Sequence, residues 1–144
     1  MQQSIQLPAL ASQAIHIPLF SHKVAAGFPS PADDYIEGRL SLDEHLIHHR
    51  DSTFFVRAKG NSMVGAGIFD NDLLIVDKSL TPASGDIVIA AVDGDLTVKR
   101  LIKRGEQVIL KPENHRFKEI EFKEGQELQI WGVVTSTVKT FHKG

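Results

Sequence analysis

The sequence predicts a mostly β single domain that is preceded by an extended, mobile amino-terminal arm. Short apolar or alternating runs, separated by glycines, follow one another from residue 52 onward, as expected for strands joined by turns. Residues 1–31 differ, because they contain no Asp or Glu and their four prolines exclude helix interiors. We therefore predict an arm at residues 1–31 and a β domain at residues 32–144.

The arm is expected to be irregular or extended. Its apolar side chains can dock on a neighbouring surface, and they are Leu7, Ile15, Ile17, Leu19 and Phe20. Farther along the chain, Ser41 and Glu44 have capping-box spacing, so a short helix is predicted to begin there. Leu42 and Leu46 fall on one side of that helix.

Six strands are predicted along the β domain. They span residues 53–58, 73–76, 87–92, 96–101, 107–110 and 128–138. The first run alternates, so that Phe54, Val56 and Ala58 share one face. Asp93 and Gly94, between the third and the fourth run, are a strong signal for a two-residue hairpin turn.

The composition limits the compartment and the partners. A net charge of −2, with basic residues scattered among acids, predicts no direct, sequence-specific DNA binding. No cysteine is present, so the fold needs no disulfide and the nucleophile is not a thiol. No run reaches the roughly 18 apolar residues of a membrane span, and residues 1–22 lack the Lys or Arg of a secretion signal. We predict a cytoplasmic protein without a membrane anchor.

Ser62 and Lys99 form a candidate catalytic pair. A serine hydroxyl is a weak nucleophile until a base removes its proton. Lysine is that base only when it is neutral, and at its ordinary pKa of about 10.4 roughly one lysine in 2,500 is neutral at pH 7. On a strand, Lys99 shares a face with Thr97 and Leu101, and burial there would lower its pKa. Ser62 follows Gly60 at a strand-to-turn junction, where free backbone N–H groups can hold an oxyanion.

The residues alone also fit a purely structural interpretation, and on spacing alone that interpretation is favoured. Ser62 would then only cap a turn, and Lys99 would be a solvated strand residue. The wider set of motifs in the chain changes this weighting.

Five segments occur in a characteristic order. They are GFPSPA at residues 27–32, GNSM at 60–63, DLLIVD at 72–77, GDIVIA at 85–90 and LTVKRL at 96–101. With these motifs, residues 18–139 closely resemble the LexA/UmuD family of self-cleaving Ser/Lys peptidases, whose fold is built from twisted antiparallel sheets. The resemblance implies that Ser62 is the nucleophile and Lys99 the general base of a serine peptidase. It also implies cleavage of the Ala26–Gly27 bond, with an oxyanion site at the backbone amides near Ser62 and Met63.

The residues around Gly27 indicate the UmuD branch of the family rather than the LexA branch. LexA-like repressors carry a helix-turn-helix domain before the cleaved bond, and 26 residues interrupted by prolines are too few for one. GFPSP at residues 27–31 is also typical of the UmuD branch. Two departures are present, because residues 111–118 look more like LexA and Ala26 replaces a cysteine familiar in the UmuD branch.

Membership of that branch implies an SOS-response mutagenesis protein. A RecA filament on single-stranded DNA would act as co-protease and stimulate self-cleavage. The shortened homodimer would then join a UmuC-type polymerase in error-prone translesion DNA synthesis, and no cofactor is implied. The alternatives are a LexA-like self-cleaving repressor fragment, a signal-peptidase-like enzyme acting in trans, and a non-catalytic polymerase accessory subunit.

Two polar clusters have simpler interpretations than a metal site. His45, His48 and His49 are not accompanied by ligands at the spacing of a structural zinc site, so solvated histidines are predicted. Residues 70–72 start like a calcium loop, but Leu73 takes a ligand position, so a turn is predicted there. No metal is expected.

Aromatic and basic residues near the end of the chain are also given structural roles. Trp131 and Phe141 are predicted as core or dimer-interface residues rather than as platforms for nucleic-acid bases. The basic run of Arg100, Lys103 and Arg104 is predicted as a solvated hairpin face, with contact to RecA or a polymerase as the alternative.

Overall fold

The computed structural model describes residues 13–21, 23–29, 31, 35–122 and 127–142. The chain divides into two compact units, Met1–His48 and His49–Gly144, and each is described by itself. The division of the chain at residue 31, with a mobile arm before it, stays a prediction. Leu7, one of the apolar docking residues predicted in the arm, lies outside the described residues.

The amino-terminal unit contains a two-stranded sheet and one short helix. β1 (Ile17–Phe20) pairs antiparallel with β2 (Ile36–Leu40), and α1 (Leu42–Leu46) follows. The helix begins where it was predicted, but the Ser41 hydroxyl makes no capping hydrogen bond, so the capping box is not formed. In the part of the chain that is described, no helix is long and apolar enough to cross a bilayer.

The second unit is a seven-stranded antiparallel sheet, which confirms the predicted mostly β fold class. Its strands are β3 (Thr53–Arg57), β4 (Leu73–Asp77), β5 (Ile87–Val92), β6 (Asp95–Arg104), β7 (Gln107–Lys111), β8 (Ile120–Glu121) and β9 (Leu128–Val138). They lie in the order β3-β4-β9-β5-β6-β7-β8. All six predicted strands are present, while the two-residue β8 was missed.

Two clusters of apolar side chains form the core of this unit. One contains Ala58, Met63, Ile68, Leu74, Val76 and Ile89, and the other contains Val88, Ala90, Leu101, Leu110 and Val133. Phe54 and Val56 pack against the first cluster beside Ala58, as the alternation of the run predicts. The first cluster therefore lies directly beneath the segment that follows β3.

The hairpin between β5 and β6 is built on its two central turn residues. Asp93 and Gly94 both have positive φ values, of 48° and 91°. This is the geometry of a type I′ turn, whose twist matches that of the strands it joins. The turn fixes the β6 register, so that Lys99 pairs with Val88.

β6 has an unpaired edge over part of its length. Residues 95–100 pair with β5, but pairing with β7 begins only where Arg100 meets Lys111. Pro112 follows Lys111, and proline has no N–H with which to continue a ladder. Within the described ranges, residues 95–99 therefore have no strand partner on their second edge.

Candidate active site

Ser62 lies on a tight loop between β3 and a 3-10 turn at Val64–Ala66. Gly60 has a φ of +88°, which favours glycine, and its N–H donates to the Asp70 carboxylate at 2.7 Å. Met63 is only 2% exposed and packs in the first core cluster. A turn on one side of Ser62 and a buried anchor on the other therefore hold it at the strand-to-turn junction that the sequence predicts.

Lys99 reaches Ser62 from the inner face of β6. Its residue is 9% exposed, and Leu101 on the same face is fully buried. The Lys99 Nζ lies 3.0 Å from the Ser62 Oγ and donates to the Thr97 Oγ1 at 2.8 Å and the Val98 carbonyl oxygen at 3.0 Å. The two predicted catalytic side chains are thus in hydrogen-bond contact, and Thr97 adds an acceptor.

Burial lowers the pKa of the Lys99 ammonium from its ordinary value. An ammonium is costly to remove from water, and no carboxylate in the described part of the chain pairs with it. The surrounding oxygen acceptors favour the charged form, so they oppose this effect. The effect of burial is larger than theirs, so a larger fraction of Lys99 carries the neutral amine that a general base needs.

A second segment, which sequence reasoning missed, holds the Ser62 loop from its carbonyl side. The Glu113 N–H donates to the Ser62 carbonyl oxygen at 2.8 Å, and the Gly65 N–H donates to the Glu113 carbonyl oxygen at 2.7 Å. The Asn114 side chain donates to the Asn61 carbonyl oxygen at 2.9 Å. These contacts are made mostly by backbone atoms, which leave no pattern in the sequence.

The N–H groups that were predicted to hold the oxyanion remain available. Within residues 13–21, 23–29, 31, 35–122 and 127–142, no acceptor bonds the backbone N–H of Ser62 or of Met63. Donors that are fixed in a loop and uncommitted suit a negative charge that develops on a nearby carbonyl oxygen.

A cleft of about 270 Å³ runs up to the Ser62–Lys99 pair. Its apolar lining comes from Val56, Ala58, Leu74, Ile89, Leu96 and Val98. The unpaired edge of β6 at residues 95–99 contributes to the same cleft. An apolar groove beside a free strand edge fits an extended peptide with aliphatic side chains.

Ala26 and Gly27 lie in the amino-terminal unit, on an irregular segment between β1 and β2. Both residues are exposed, and a β-carbon at Gly27 would have nothing within 4 Å. Their role as the cleaved pair stays a prediction.

The three histidines predicted as solvated are exposed, and the side chains of His48 and His49 also have hydrogen-bond partners. The His48 Nε2 lies 3.0 Å from the His45 carbonyl oxygen, and the His49 Nδ1 lies 2.6 Å from the Asp77 carboxylate. In the described ranges, no three His, Cys, Asp or Glu residues are arranged to hold a metal ion. Residue Asp70, from the segment predicted as a turn, accepts from the Gly60 N–H.

The predictions for Trp131, Phe141 and Arg100 need correction, whereas Lys103 and Arg104 are exposed, as predicted. Trp131 is 40% exposed and Phe141 is 93% exposed, so neither is a core residue, and their interface role stays a prediction. Arg100 is not simply solvated, because its Nε contacts the Glu113 carboxylate at 2.5 Å and its Nη1 donates to the Gly85 carbonyl oxygen. Lys103 donates to the Pro82 carbonyl oxygen.

Comparison with known proteins identifies a family for most of the chain. Residues 18–135 match the family described as Peptidase S24-like. The chain is 46% identical over 121 residues to Protein SamA of Salmonella typhimurium, and the alignment covers 84% of each of the two chains. It is 39% identical over 129 residues to Protein MucA of Escherichia coli, covering 89% of this chain and 88% of MucA. It is also 39% identical over 125 residues to the LexA repressor of Caldicellulosiruptor saccharolyticus, covering 87% of this chain but 59% of the repressor.

Proposed function

Because the chain belongs to the Peptidase S24-like family, as a UmuD-type member, we propose that it is an SOS mutagenesis protein that cleaves itself at the Ala26–Gly27 bond. One observation above all supports the peptidase activity. The buried Lys99 Nζ lies 3.0 Å from the Ser62 Oγ, and burial lowers the pKa of that amine. A serine with a partly neutral lysine in contact has the two parts that nucleophilic acyl transfer requires.

The first step is attack on the Ala26 carbonyl carbon. Neutral Lys99 takes the proton of the Ser62 hydroxyl while the Ser62 Oγ forms a bond to that carbon. The carbonyl oxygen becomes negatively charged. The backbone N–H groups of Ser62 and Met63, which have no acceptor in the described part of the chain, stabilise this oxyanion.

The second step releases the amino-terminal fragment. Protonated Lys99 donates its proton to the Gly27 nitrogen as the Ala26–Gly27 bond breaks, which leaves an ester between Ala26 and the Ser62 Oγ. Water, deprotonated by the same lysine, then hydrolyses the ester and regenerates the hydroxyl. The products are residues 1–26 and residues 27–144.

The segment around the bond suits the cleft as substrate. An extended peptide can pair with the free edge of β6 at residues 95–99, and Val24 can fill the apolar cleft beside it. Ala25, Ala26 and Gly27 are small, so the scissile carbonyl can approach Ser62 closely. Because enzyme and substrate belong to the same protein, the rate is proportional to the fraction of time that this segment is docked, as well as to the fraction of Lys99 that is neutral.

The trigger and the partner follow from the UmuD-type resemblance. A RecA filament on single-stranded DNA acts as co-protease by binding the state in which the segment is docked and Lys99 is neutral. Such a ligand shifts the equilibrium only by its preference for that state. The shortened cytoplasmic homodimer then serves as a subunit of a UmuC-type translesion polymerase.

Incubation of the purified protein at alkaline pH tests this proposal. We expect slow self-cleavage with a new amino terminus at Gly27, which amino-terminal sequencing identifies, and faster cleavage at neutral pH with RecA, single-stranded DNA and nucleotide. Ser62→Ala and Lys99→Ala abolish both reactions. The matched controls Ser136→Ala and Lys103→Ala cleave normally, since neither side chain contacts the pair.

The other outcomes would select an alternative. Persistent cleavage in Ser62→Ala would overturn the mechanism. Absence of any cleavage in the wild-type protein with RecA would favour the non-catalytic accessory subunit. Tight, sequence-specific DNA binding that is lost on cleavage would favour the repressor.

A further inference from the structure

We propose that Glu113 is a positioning residue for the Ser62 nucleophile and that its ion pair with Arg100 sets the distance between Ser62 and Lys99. This inference rests on the self-cleavage proposed above. It adds a pair of residues that touches neither the substrate nor the reacting atoms, but that joins the two elements carrying the catalytic side chains.

The contacts form a closed ring. Lys99 and Arg100 are consecutive on β6, so their side chains leave opposite faces of the strand. On one face the Lys99 Nζ lies 3.0 Å from the Ser62 Oγ. On the other face the Arg100 Nε lies 2.5 Å from the Glu113 carboxylate. The Glu113 N–H closes the ring by donating to the Ser62 carbonyl oxygen at 2.8 Å.

Steric contact keeps the Ser62 loop in place on the Glu113 side. A β-carbon added at Gly65 would lie 2.5 Å from the Glu113 carbonyl oxygen, so the two backbones already touch as closely as they can. The Gly65 N–H donates to that same oxygen at 2.7 Å. A shift of the Glu113 backbone is therefore transmitted directly to the loop that carries Ser62.

The ion pair is placed to prevent such a shift. The side chains of Arg100 and Glu113 are 29% and 22% exposed, so both are mostly shielded from water. The Arg100 Nη1 also donates to the Gly85 carbonyl oxygen at 2.5 Å, which fixes the guanidinium at a second point. A planar, doubly held guanidinium fixes the Glu113 carboxylate, and with it the adjoining backbone, relative to β6.

The effect expected on the rate is large, because a misplacement of about 1 Å at a reacting group can cost about 100-fold. Glu113→Ala removes the ion pair but keeps the backbone N–H, so the Ser62 loop is no longer held at a fixed position relative to β6. Glu113→Gln keeps a side-chain oxygen for the Arg100 Nε, so positioning is largely kept.

The test measures self-cleavage as a function of pH, and it compares the variants on the alkaline plateau, where Lys99 is neutral in each. We expect Glu113→Ala and Arg100→Ala each to lower the plateau rate at least tenfold, and Glu113→Gln to lower it less than threefold. The double variant should be no slower than the slower single variant, since the pair acts as one unit. Glu121→Ala on β8, an exposed carboxylate, is the matched control and keeps the wild-type rate.

Two results would overturn the inference. One is a Glu113→Ala plateau within threefold of wild type. The other is a double variant whose rate loss equals the product of the two single losses, because independent residues behave in that way. Thermal unfolding of each variant, with the assay run well below the melting temperature, separates positioning from loss of folded protein.

Hydrogen exchange distinguishes this inference from the proposed function. In Glu113→Ala, the backbone amides of position 113 and of Gly65 should exchange at least tenfold faster than in the wild type, while the amides of β4 and β9 exchange at unchanged rates. If the wild-type protein does not cleave itself but these amides respond, the proposed function fails and the coupling stands. If cleavage occurs and these amides do not respond, the coupling is wrong.

Discussion

The Lys99 Nζ lies 3.0 Å from the Ser62 Oγ, although the two residues are 37 positions apart in the chain. The contact is set by two independent constraints, the register of β6 and the loop that follows β3. Both are held by the core, because Leu101 next to Lys99 and Met63 next to Ser62 are almost fully buried. The folding of the second unit therefore brings the pair together.

The rate of self-cleavage should depend on the protonation of Lys99. Because burial lowers the pKa of Lys99, the rate should rise tenfold per pH unit below that pKa and level off above it. The midpoint of the profile should lie below the ordinary value of 10.5. Cleavage without RecA, followed by gel densitometry between pH 6 and pH 11, measures the profile. A rate that does not vary with pH, or a profile whose midpoint lies at or above 10.5, would contradict Lys99 as a buried base.

Thr97→Val should move that profile. The Thr97 hydroxyl accepts from the Lys99 Nζ at 2.8 Å, and such an acceptor favours the charged form. Its removal should lower the pKa of Lys99 further and, by freeing the amine to rotate, lower the plateau rate about tenfold. Thr97→Ser keeps the acceptor and should match wild type in both respects. An upward shift of the midpoint in Thr97→Val would show that the hydroxyl acts in another way.

Lys99→Met should stabilise the protein at neutral pH while it abolishes cleavage. The pKa of Lys99 is lowered on folding, so the native state binds fewer protons than the unfolded state between the lowered pKa and 10.5. Stability therefore rises with pH across that window, and burial costs most below it. We expect a gain of about 0.5–2 kcal/mol at pH 7, as for other substitutions at strained functional sites. Urea unfolding at pH 7 and pH 10 measures it, and the gain should shrink at the higher pH.

Two glycine substitutions should separate damage to the site from damage to the fold. Gly65→Ala brings a β-carbon to 2.5 Å from the Glu113 carbonyl oxygen, and Gly132→Ala brings one to 2.7 Å from the Val76 Cγ1. Each should lower the free energy of unfolding by about 1–3 kcal/mol. Only Gly65→Ala should also lower the plateau rate per folded molecule, since it displaces the Ser62 loop. Equal rate losses in the two variants would mean that stability alone controls the rate.

Asp77 should control stability in acid. The Ser79 hydroxyl, together with His49 and Ser52, holds the pKa of the buried Asp77 carboxyl far below its ordinary value of 3.8. A carboxyl with a lowered pKa contributes its full stability above 3.8 and loses it as the pH falls toward the folded value. Asp77→Asn should cost about 2 kcal/mol at pH 7 and pH 5, and less at pH 3. Urea unfolding at the three pH values checks this, with Glu121→Gln as control, and an unchanged cost at pH 3 would contradict it.

The sequence predicts the large sheet well because local patterns determine its strands. The alternation of Phe54, Val56 and Ala58 and the turn at Asp93-Gly94 are both visible in short windows, and the structure has both. The β1–β2 pair was missed, because it joins distant residues such as Ile17 and Leu40 and because Pro18 argues against a strand. The strand predicted at residues 96–101 extends three residues farther in the structure, to Arg104, because this end of β6 pairs with β7.

The sequence predicts the reactive side chains of the candidate site but not the backbone contacts that hold them in place. Ser62 and Lys99 are residue types that a reaction demands, so motifs reveal them. Glu113 and Gly65 hold the Ser62 loop through backbone N–H groups and a carbonyl oxygen, and every residue except proline possesses both groups. Arg100 was predicted as a solvated residue because its partner Glu113 lies 13 positions away, on the segment after β7.

Pro112 has a consequence for how this chain can be improved by design or by selection. Pairing of β6 with β7 stops at Arg100 and Lys111, and the proline that follows offers no further N–H. A valine at that position would favour one more rung of the ladder, opposite Lys99, while the N–H and the carbonyl oxygen of Glu113 stay bonded to the Ser62 loop. The added rung would occupy the strand edge beside Lys99, where we propose that the substrate segment pairs. Higher β-propensity at this one position would thus make the protein more stable but would block the strand edge at which the substrate is proposed to bind. A screen for stability alone would therefore select against the proposed activity.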